Sequence, residues 1–383
     1  MKMLDLANKE IEKLEWCKLP GKRIRAAGCN ARLGVHGDSV PLDLVRVSIG
    51  GHEGFGWSRI NEQRAQELLG KKVGELFNHN GEVNSLYYDI EFPLLDWLGK
   101  IKNMPVYKLL LGDTDLKISV PCYDTSLYFD DLHLQDEDDA VKLIQSQALE
   151  GKARGHRAYK IKVGRGAMHM PLDKGTERDI AIINGVREAV GPDAKIMIDA
   201  NNGYNLNLTK YVLKATAHSN ITWIEEAFHE DPPLLENLKN WIQNEGLNVL
   251  VTDGEGDAAP QIVDWAKQGY LDAIQYDILH YGFFKWINLG QELDKASVYT
   301  APHSYGCVYG NYVLGHLAPL IKGFLFIEWD EINIEGIDTS SYIMNEGKVE
   351  VPDKPGFGIE LDHHFYSKMV EKSGWSVCKK LVG

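Results

Sequence analysis

Two lysines one residue apart, Lys160 and Lys162, close the segment Ala158-Tyr159-Lys160-Ile161-Lys162-Val163. Side chains of a strand alternate between faces, so the two ammonium groups share one side while Tyr159, Ile161 and Val163 take the other. Inside a closed barrel, burial and like charge both disfavour protonation and lower a lysine pKa. A lysine so perturbed serves as a base near neutral pH. Further ionisable residues follow downstream: Asp199 before Ala200-Asn201-Asn202, Glu225 beside Glu226, Glu255 after Asp253-Gly254, then Asp277, His303 and Glu328. Taken singly, each has a plainer explanation as a turn residue, a solvated strand edge or a loop histidine. Their joint placement at successive strand ends argues for a site.

Asp199, Glu225 and Glu255 lie about one strand-helix repeat apart. An all-oxygen ligand set with open positions suits a hard cation, magnesium above zinc. A proton next to a carboxylate is weakly acidic, and its removal creates an enediolate dianion that needs strong charge stabilisation. A divalent cation on the substrate carboxylate supplies it as a Lewis acid, and Lys160 adds a second positive charge. Lys162 or His303 then takes the proton, according to the face that carries it. Asp277, one strand before His303, is placed to accept a hydrogen bond from one ring nitrogen and fix the tautomer. Glu328 is expected to donate to a substrate carboxylate oxygen if burial or nearby acids raise its pKa.

The elements that must position these groups read as an alternation. Strand candidates are Ser119–Tyr123, Ala158–Val163, Lys195–Asp199, Thr222–Glu225, Val249–Thr252, Ala273–Asp277, Ser297–Ala301 and Phe324–Glu328, with helical stretches between most of them. The helix over Asp179–Val190 is stopped by Gly191-Pro192. Eight strands with intervening helices predict a closed parallel barrel, whose active site forms at the C-terminal strand ends. An open doubly wound sheet has no Gly-x-Gly-x-x-Gly after an early strand to support it. The preceding region is α+β, with a strand over Leu42–Ile49, a polar loop over Asn30–Asp38 carrying Arg32 and His36, and a helical pattern from Asn61 to Leu111.

The chain of 383 residues is 44% hydrophobic and 25% charged, as in ordinary globular proteins, and carries a formal net charge of −14. That acidity argues against nucleic acid as a partner. No apolar run is long enough for a membrane span, and acidic residues interrupt the N-terminus where a signal core would stand, so a cytoplasmic location is expected. Cys17, Cys29, Cys122, Cys307 and Cys378 form no Cys-x-x-Cys pair and give no zinc framework.

With these residues in hand, the chain resembles the enolase superfamily, specifically its mandelate racemase subgroup. Lys160-Ile161-Lys162 matches the Lys-x-Lys motif, Asp199, Glu225 and Glu255 the metal ligands, Asp277 and His303 the Asp-His dyad, and Glu328 the electrophilic glutamate. Asp96-Trp97-Leu98-Gly99-Lys100 with Met104-Pro105 looks like the capping-domain helix and its exit. The resemblance implies a (β/α)7β TIM-type barrel over residues 122–338, and an α+β cap over 1–121 joined by the tail 339–383. It further implies one Mg2+ per subunit, a homo-oligomer, and a flap over Asn30–Asp38 that closes on substrate. Lys160, Lys162, Asp277, His303 and Glu328 would be catalytic; Asn201, Arg32, His36 and Trp57 would bind substrate. Two departures bear on pocket shape: Ala227 stands where proline commonly follows Glu-Glu, and Gly164–Pro171 makes a long loop.

The activity so implied is Mg2+-dependent dehydration of a sugar acid, an aldonate or aldarate: loss of the proton α to the carboxylate and of the 3-hydroxyl gives a 2-keto-3-deoxy acid. The alternative is a racemase or epimerase of a 2-hydroxy acid that uses Lys162 and His303 as opposed bases. A non-catalytic sugar-acid binder would need neither both bases nor the metal ligands. A zinc-dependent barrel hydrolase would need a His-x-His at the first strand, which is absent.

Overall fold

The computed structural model describes residues 3–112 and 115–379. Residues 1–2, 113–114 and 380–383, parts of the ranges expected for cap and tail, lie outside the described residues. In the N-terminal region β1 (Ile11–Leu19), β2 (Gly21–Ala27), β3 (Gly37–Ser39), β4 (Leu42–Ile49) and β5 (His52–Trp57) come first. β1, β4 and β5 pair antiparallel, and the strand Trp375–Cys378 adds to the free side of β1. The strand expected over Leu42–Ile49 is therefore present, buried on both sides at Leu44, Val45 and Val47. The helical pattern after Asn61 resolves into short helices and one longer helix, Glu91–Lys102, which packs on β4 and β5. Asp96 on that helix is fully buried and accepts from the backbone N–H of Phe55 and of Phe357, tying β5 and the tail to one carboxylate.

The loop between β2 and β3 leans on the rest of the molecule. Asn30 O lies 2.7 Å from His169 Nε2, and Cys29 bridges Phe129. The approach is close: a Cβ on Gly164, whose φ is +99°, would stand 2.8 Å from the Ala31 Cβ. Any larger residue at Gly164 would push this loop off the barrel rim.

Strands β6 (Ile118–Leu127), β7 (Ala158–Lys162), β8 (Lys195–Asp199), β9 (Ile221–Glu225), β10 (Leu250–Asp253), β11 (Ala273–Ile274) and β12 (Tyr299–Thr300) pair in parallel in that order. The last, β13 (Ile327–Trp329), pairs in parallel with β6, while Phe324 just before it bridges Thr300 of β12. The ring of eight thus closes between its first and last members. Alternation along the strands sends Ala158, Met197, Trp223, Ala273, Ala301 and Tyr123 to one interior cluster, and sends Tyr159, Ile161, Ile196, Ile198 and Ile224 outward to the large core under the helices. The interior cluster is an apolar plug, and the polar strand ends stand above it.

The expected strands are recovered with shifted ends. Ala273–Asp277 shortens to Ala273–Ile274, because Asp277 leaves the ladder to cap the helix Ile278–Tyr281 with its side chain. Ser297–Ala301 shortens to Tyr299–Thr300.

Candidate active site

Strand register alone brings three of the predicted groups into a row. Lys162 pairs with Asp199 across β7 and β8, and Asp199 pairs with Glu225 across β8 and β9. One carboxylate oxygen each from Asp199, Glu225 and Glu255 then lies within 4.8 Å of the others. Oε2 of Glu255 is buried and accepts no hydrogen bond, although His303 Nε2 stands 3.1 Å away at ion-pair distance. Three converging carboxylates with a lone pair to spare fit a hard divalent cation such as Mg2+. Burial and then the neighbouring carboxylates Asp199, Glu255 and Glu328 push Glu225 up to about 8, against the pull of Lys160. The cluster is short of positive charge.

The two lysines behave differently from the expectation based on burial and like charge. Lys160 and Lys162 are 2% and 5% exposed, yet both pKa values are raised. Burial would lower them. Glu225 and Glu328 override it at Lys160, and Asp199 overrides it at Lys162. Lys160 Nζ lies 2.6 Å from Glu225 Oε1, 3.0 Å from Glu328 Oε1 and 3.3 Å from Asp199 Oδ2, and Lys162 Nζ donates to Asp199 Oδ2. Opposite charges within this range outweigh one like charge at the next alternate position.

Glu328 also departs from its expected state. Burial would raise its pKa, but Lys160 and His303 bring it down to about 2. It is an acceptor, taking Thr125 Oγ1 at 2.7 Å and the Ser304 N–H at 2.8 Å, and so it holds Lys160 rather than donating.

Asp277 and His303 meet as expected, with His303 Nδ1 2.9 Å from Asp277 Oδ2. Burial would lower the imidazole; Glu255, Glu328 and Asp277 push it up to about 10. With Nδ1–H committed to Asp277, Nε2 is the atom turned toward Glu255.

Among the expected substrate-binding residues, Asn201 and His36 join the cluster. Asn201 Nδ2 donates to Glu226 Oε2 at 2.7 Å, its backbone N–H donates to Asp199 Oδ1, and its Oδ1 is buried without a partner. Asn201, Asn202 and Glu226 all have left-handed φ values of 42°, 59° and 43°. Such strain in non-glycine residues persists where surrounding contacts impose it. His36 packs edge-on to Tyr128 and Tyr305 at ring distances of 5.0 and 5.7 Å. Burial, Lys162 and Arg23 push it down to about 4, so it is a neutral imidazole with an unpartnered Nε2. Arg32 is exposed, its backbone N–H on Asn30 Oδ1. Trp57 contacts Phe92 and His280, and His280 in turn meets Asp277 of the dyad.

Several groups that touch the site were not singled out by spacing. Gln275 Nε2 and Trp223 Nε1 donate to Glu225 Oε2 at 2.8 and 3.1 Å, and Tyr128 lies beneath Lys162. Inward alternation from Glu225, Ala273 and Tyr123 was the signal available for Trp223, Gln275 and Thr125. The loop donor Ser304 had none.

Residues 144–365 match the family model described as enolase C-terminal domain-like. A galacturonate dehydratase from a Geobacillus species, solved with D-galacturonate and 5-keto-4-deoxy-D-galacturonate, is 48% identical over 97% of this chain and 99% of its own, with a TM-score of 0.93. A mandelate racemase/muconate lactonizing protein from Geobacillus sp. Y412MC10, complexed with magnesium and tartrate, is also 48% identical, over 97% and 98% of the two chains, with a TM-score of 0.96. Arabinonate dehydratase of Saccharolobus solfataricus is 27% identical over 71% of this chain and 68% of its own. On the matched family model and on near full-length identity of this level, the chain belongs to the enolase superfamily, in its mandelate racemase group.

Proposed function

We propose that this protein is a Mg2+-dependent dehydratase of a sugar acid, and that its substrate is a hexuronate of the galacturonate type. The observation that carries the reaction class is the carboxylate triad of Asp199, Glu225 and Glu255 set between Lys160 and Lys162 on one side and the Asp277–His303 dyad on the other. The substrate class draws on the likeness to the Geobacillus galacturonate dehydratase. In a hexuronate the carbon next to the carboxylate is C5, and the hydroxyl β to the carboxylate is on C4. Loss of the C5 proton and the C4 hydroxyl, as water, leaves an enol that tautomerises to a 5-keto-4-deoxy acid. The same two positions in an aldonate or aldarate are C2 and C3, with a 2-keto-3-deoxy product.

Asp199, Glu225 and Glu255 would hold Mg2+, which when bound would supply Lewis-acid stabilisation of the negative charge that develops on the substrate carboxylate. Lys160, fixed by Glu225 and Glu328, presents a permanent positive charge beside that carboxylate. His303 Nε2, which the surrounding carboxylates keep protonated, gives its proton to the departing hydroxyl, and the α proton passes to Lys162 or His303 once that group has released the proton the neighbouring carboxylates hold on it. Asp277 keeps Nδ1 of His303 protonated so that Nε2 does this work. Neutral His36 on the flap offers its free ring nitrogen to a substrate hydroxyl. Asn201, Arg32 and Trp57 complete the proposed substrate contacts, Arg32 only after the flap shifts. A homo-oligomer in the cytoplasm, with the cap over residues 1–121 and 339–383 and the barrel over 122–338, belongs to the same reading.

The test is incubation of the purified protein with Mg2+ and a panel of uronates, aldonates and aldarates. Keto-acid release that EDTA abolishes is expected, strongest with galacturonate. No keto acid from any member refutes the reading, and solvent deuterium entering the α position without keto acid would make the protein an epimerase.

A further inference from the structure

Asp277 is held at both carboxylate oxygens, and only one of them serves His303. Oδ2 takes the His303 Nδ1 at 2.9 Å. Oδ1 takes the backbone N–H of Leu279 at 3.0 Å and of His280 at 2.9 Å, and the Nδ1 of the His280 ring at 2.9 Å. The far nitrogen of that ring, Nε2, lies 3.3 Å from Arg59 Nη1. A guanidinium only donates, so Nε2 is the acceptor and Nδ1 carries the hydrogen. The donors then run in one direction, from Arg59 to His280 to Asp277, with His303 donating from the other side. Arg59 follows β5 in the N-terminal region and is itself held by Asp43 at 3.2 Å; Trp57 at the end of β5 stands edge-on to the His280 ring at 5.4 Å.

We propose that His280 is a positioning residue for the dyad, fixing the orientation of Asp277 from the oxygen that His303 does not use and linking it to Arg59 and Trp57. The inference rests on the reading of His303 as a proton-handling group. The His280 side chain is 63% exposed and borders a cavity of about 490 Å³. Its contribution to the core is small, and the polar contacts and Trp57 account for its fixed pose. The two backbone donors and the ring donor converge on Oδ1 from different directions, so the ring adds a third hydrogen bond that holds this oxygen in place and leaves Oδ2 to His303.

The test compares His280→Ala, His280→Asn and His280→Gln for kcat and KM on galacturonate with saturating Mg2+. An asparagine amide nitrogen occupies the place of Nδ1, whereas a glutamine amide nitrogen occupies that of Nε2. His280→Ala is expected to lower kcat by about 10- to 100-fold, the usual effect of losing a supporting partner, with KM within about threefold. His280→Asn is expected to recover most of kcat and His280→Gln little of it. A kcat for the alanine variant equal to wild type, or equal behaviour of the asparagine and glutamine variants, overturns the proposal. A second arm does not depend on turnover: in the wild-type protein with 15N-labelled histidine, His280 is expected as the neutral Nδ1–H tautomer, and an Nε2–H tautomer refutes it. If wild type makes no keto acid, the functional reading falls while the tautomer still decides this inference.

Discussion

Lys160 and Lys162 stand on a five-residue strand that is buried throughout and keeps an unbroken register with β8, whereas Asp277 and His303 follow strands of two residues and sit where the chain has already left the ladder. On the lysine side the backbone sets position, and the carboxylates of neighbouring strands set protonation. On the histidine side position comes from hydrogen bonds: Asp277 to His303, Asp277 to its own helix cap, and Ile278 N–H to His303 O at 3.0 Å. Loss of a single hydrogen bond should therefore cost more on the histidine side, and loss of a charge more on the lysine side.

The largest effect is expected where the lysine side and the metal ligands coincide. Asp199→Asn removes a proposed ligand and the partner of Lys162 together, and should lower activity by about 10³-fold or more, the scale of several kcal/mol of lost charge stabilisation. A Mg2+ titration followed by thermal unfolding checks the cause. Wild type should gain about 2.7 kcal/mol at a hundredfold excess over Kd, and the variant nearly none.

Asp277→Asn sharpens the contrast from the other side. Charge on the metal ligands is untouched, so the Mg2+-induced rise in Tm should persist while kcat falls by about 10²- to 10⁴-fold, because the asparagine no longer selects the required tautomer. If Asp277→Asn also abolished the Mg2+ response, the two sides would not be separable as described.

His36→Phe keeps the ring packing against Tyr128 and Tyr305 and deletes the nitrogens. One lost hydrogen bond to substrate predicts a rise in KM of about tenfold with kcat nearly unchanged.

The smallest effect on activity is expected behind the histidine side, where the change is one of stability. Glu91 accepts the Phe283 N–H at 2.7 Å, at the start of the helix Phe283–Lys295, and burial pushes its carboxyl from the ordinary 4.5 up to about 8. The folded state binds this proton more tightly than the unfolded one. Its contribution is complete below about pH 4.5 and is lost as pH rises toward 8, at no more than about 1.4 kcal/mol per pH unit. Urea midpoints of Glu91→Gln at pH 5 and pH 8 should differ less than those of wild type.

Much of the barrel was legible because β7 to β10 are short, largely apolar segments ending in charged residues, and the register of such strands follows from the pleat. The triad, the dyad and the shared face of the lysines all emerged from that pattern. The shortened β11 was not legible: Gln275-Tyr276-Asp277 continues the alternation, and only the capping role of Asp277 shows where the strand stops. The protonation of Lys160 and Glu328 was misjudged for a related reason. Sequence displays the like charge one alternate position away, but the three carboxylates that outweigh it come from strands far along the chain. The Ser304 backbone N–H on Glu328, and the ring of His280 on Asp277, depend on loop and side-chain geometry that spacing does not encode.

The most direct test of the two-sided site is the fate of the α proton in D2O, with Mg2+ and galacturonate, for His303→Asn and Lys162→Ala. The account predicts that His303→Asn makes no keto acid whichever side starts the reaction, and that at least one of the two variants also loses deuterium exchange at the α carbon. Keto-acid formation by His303→Asn at the wild-type rate, or full exchange in both variants, would contradict it.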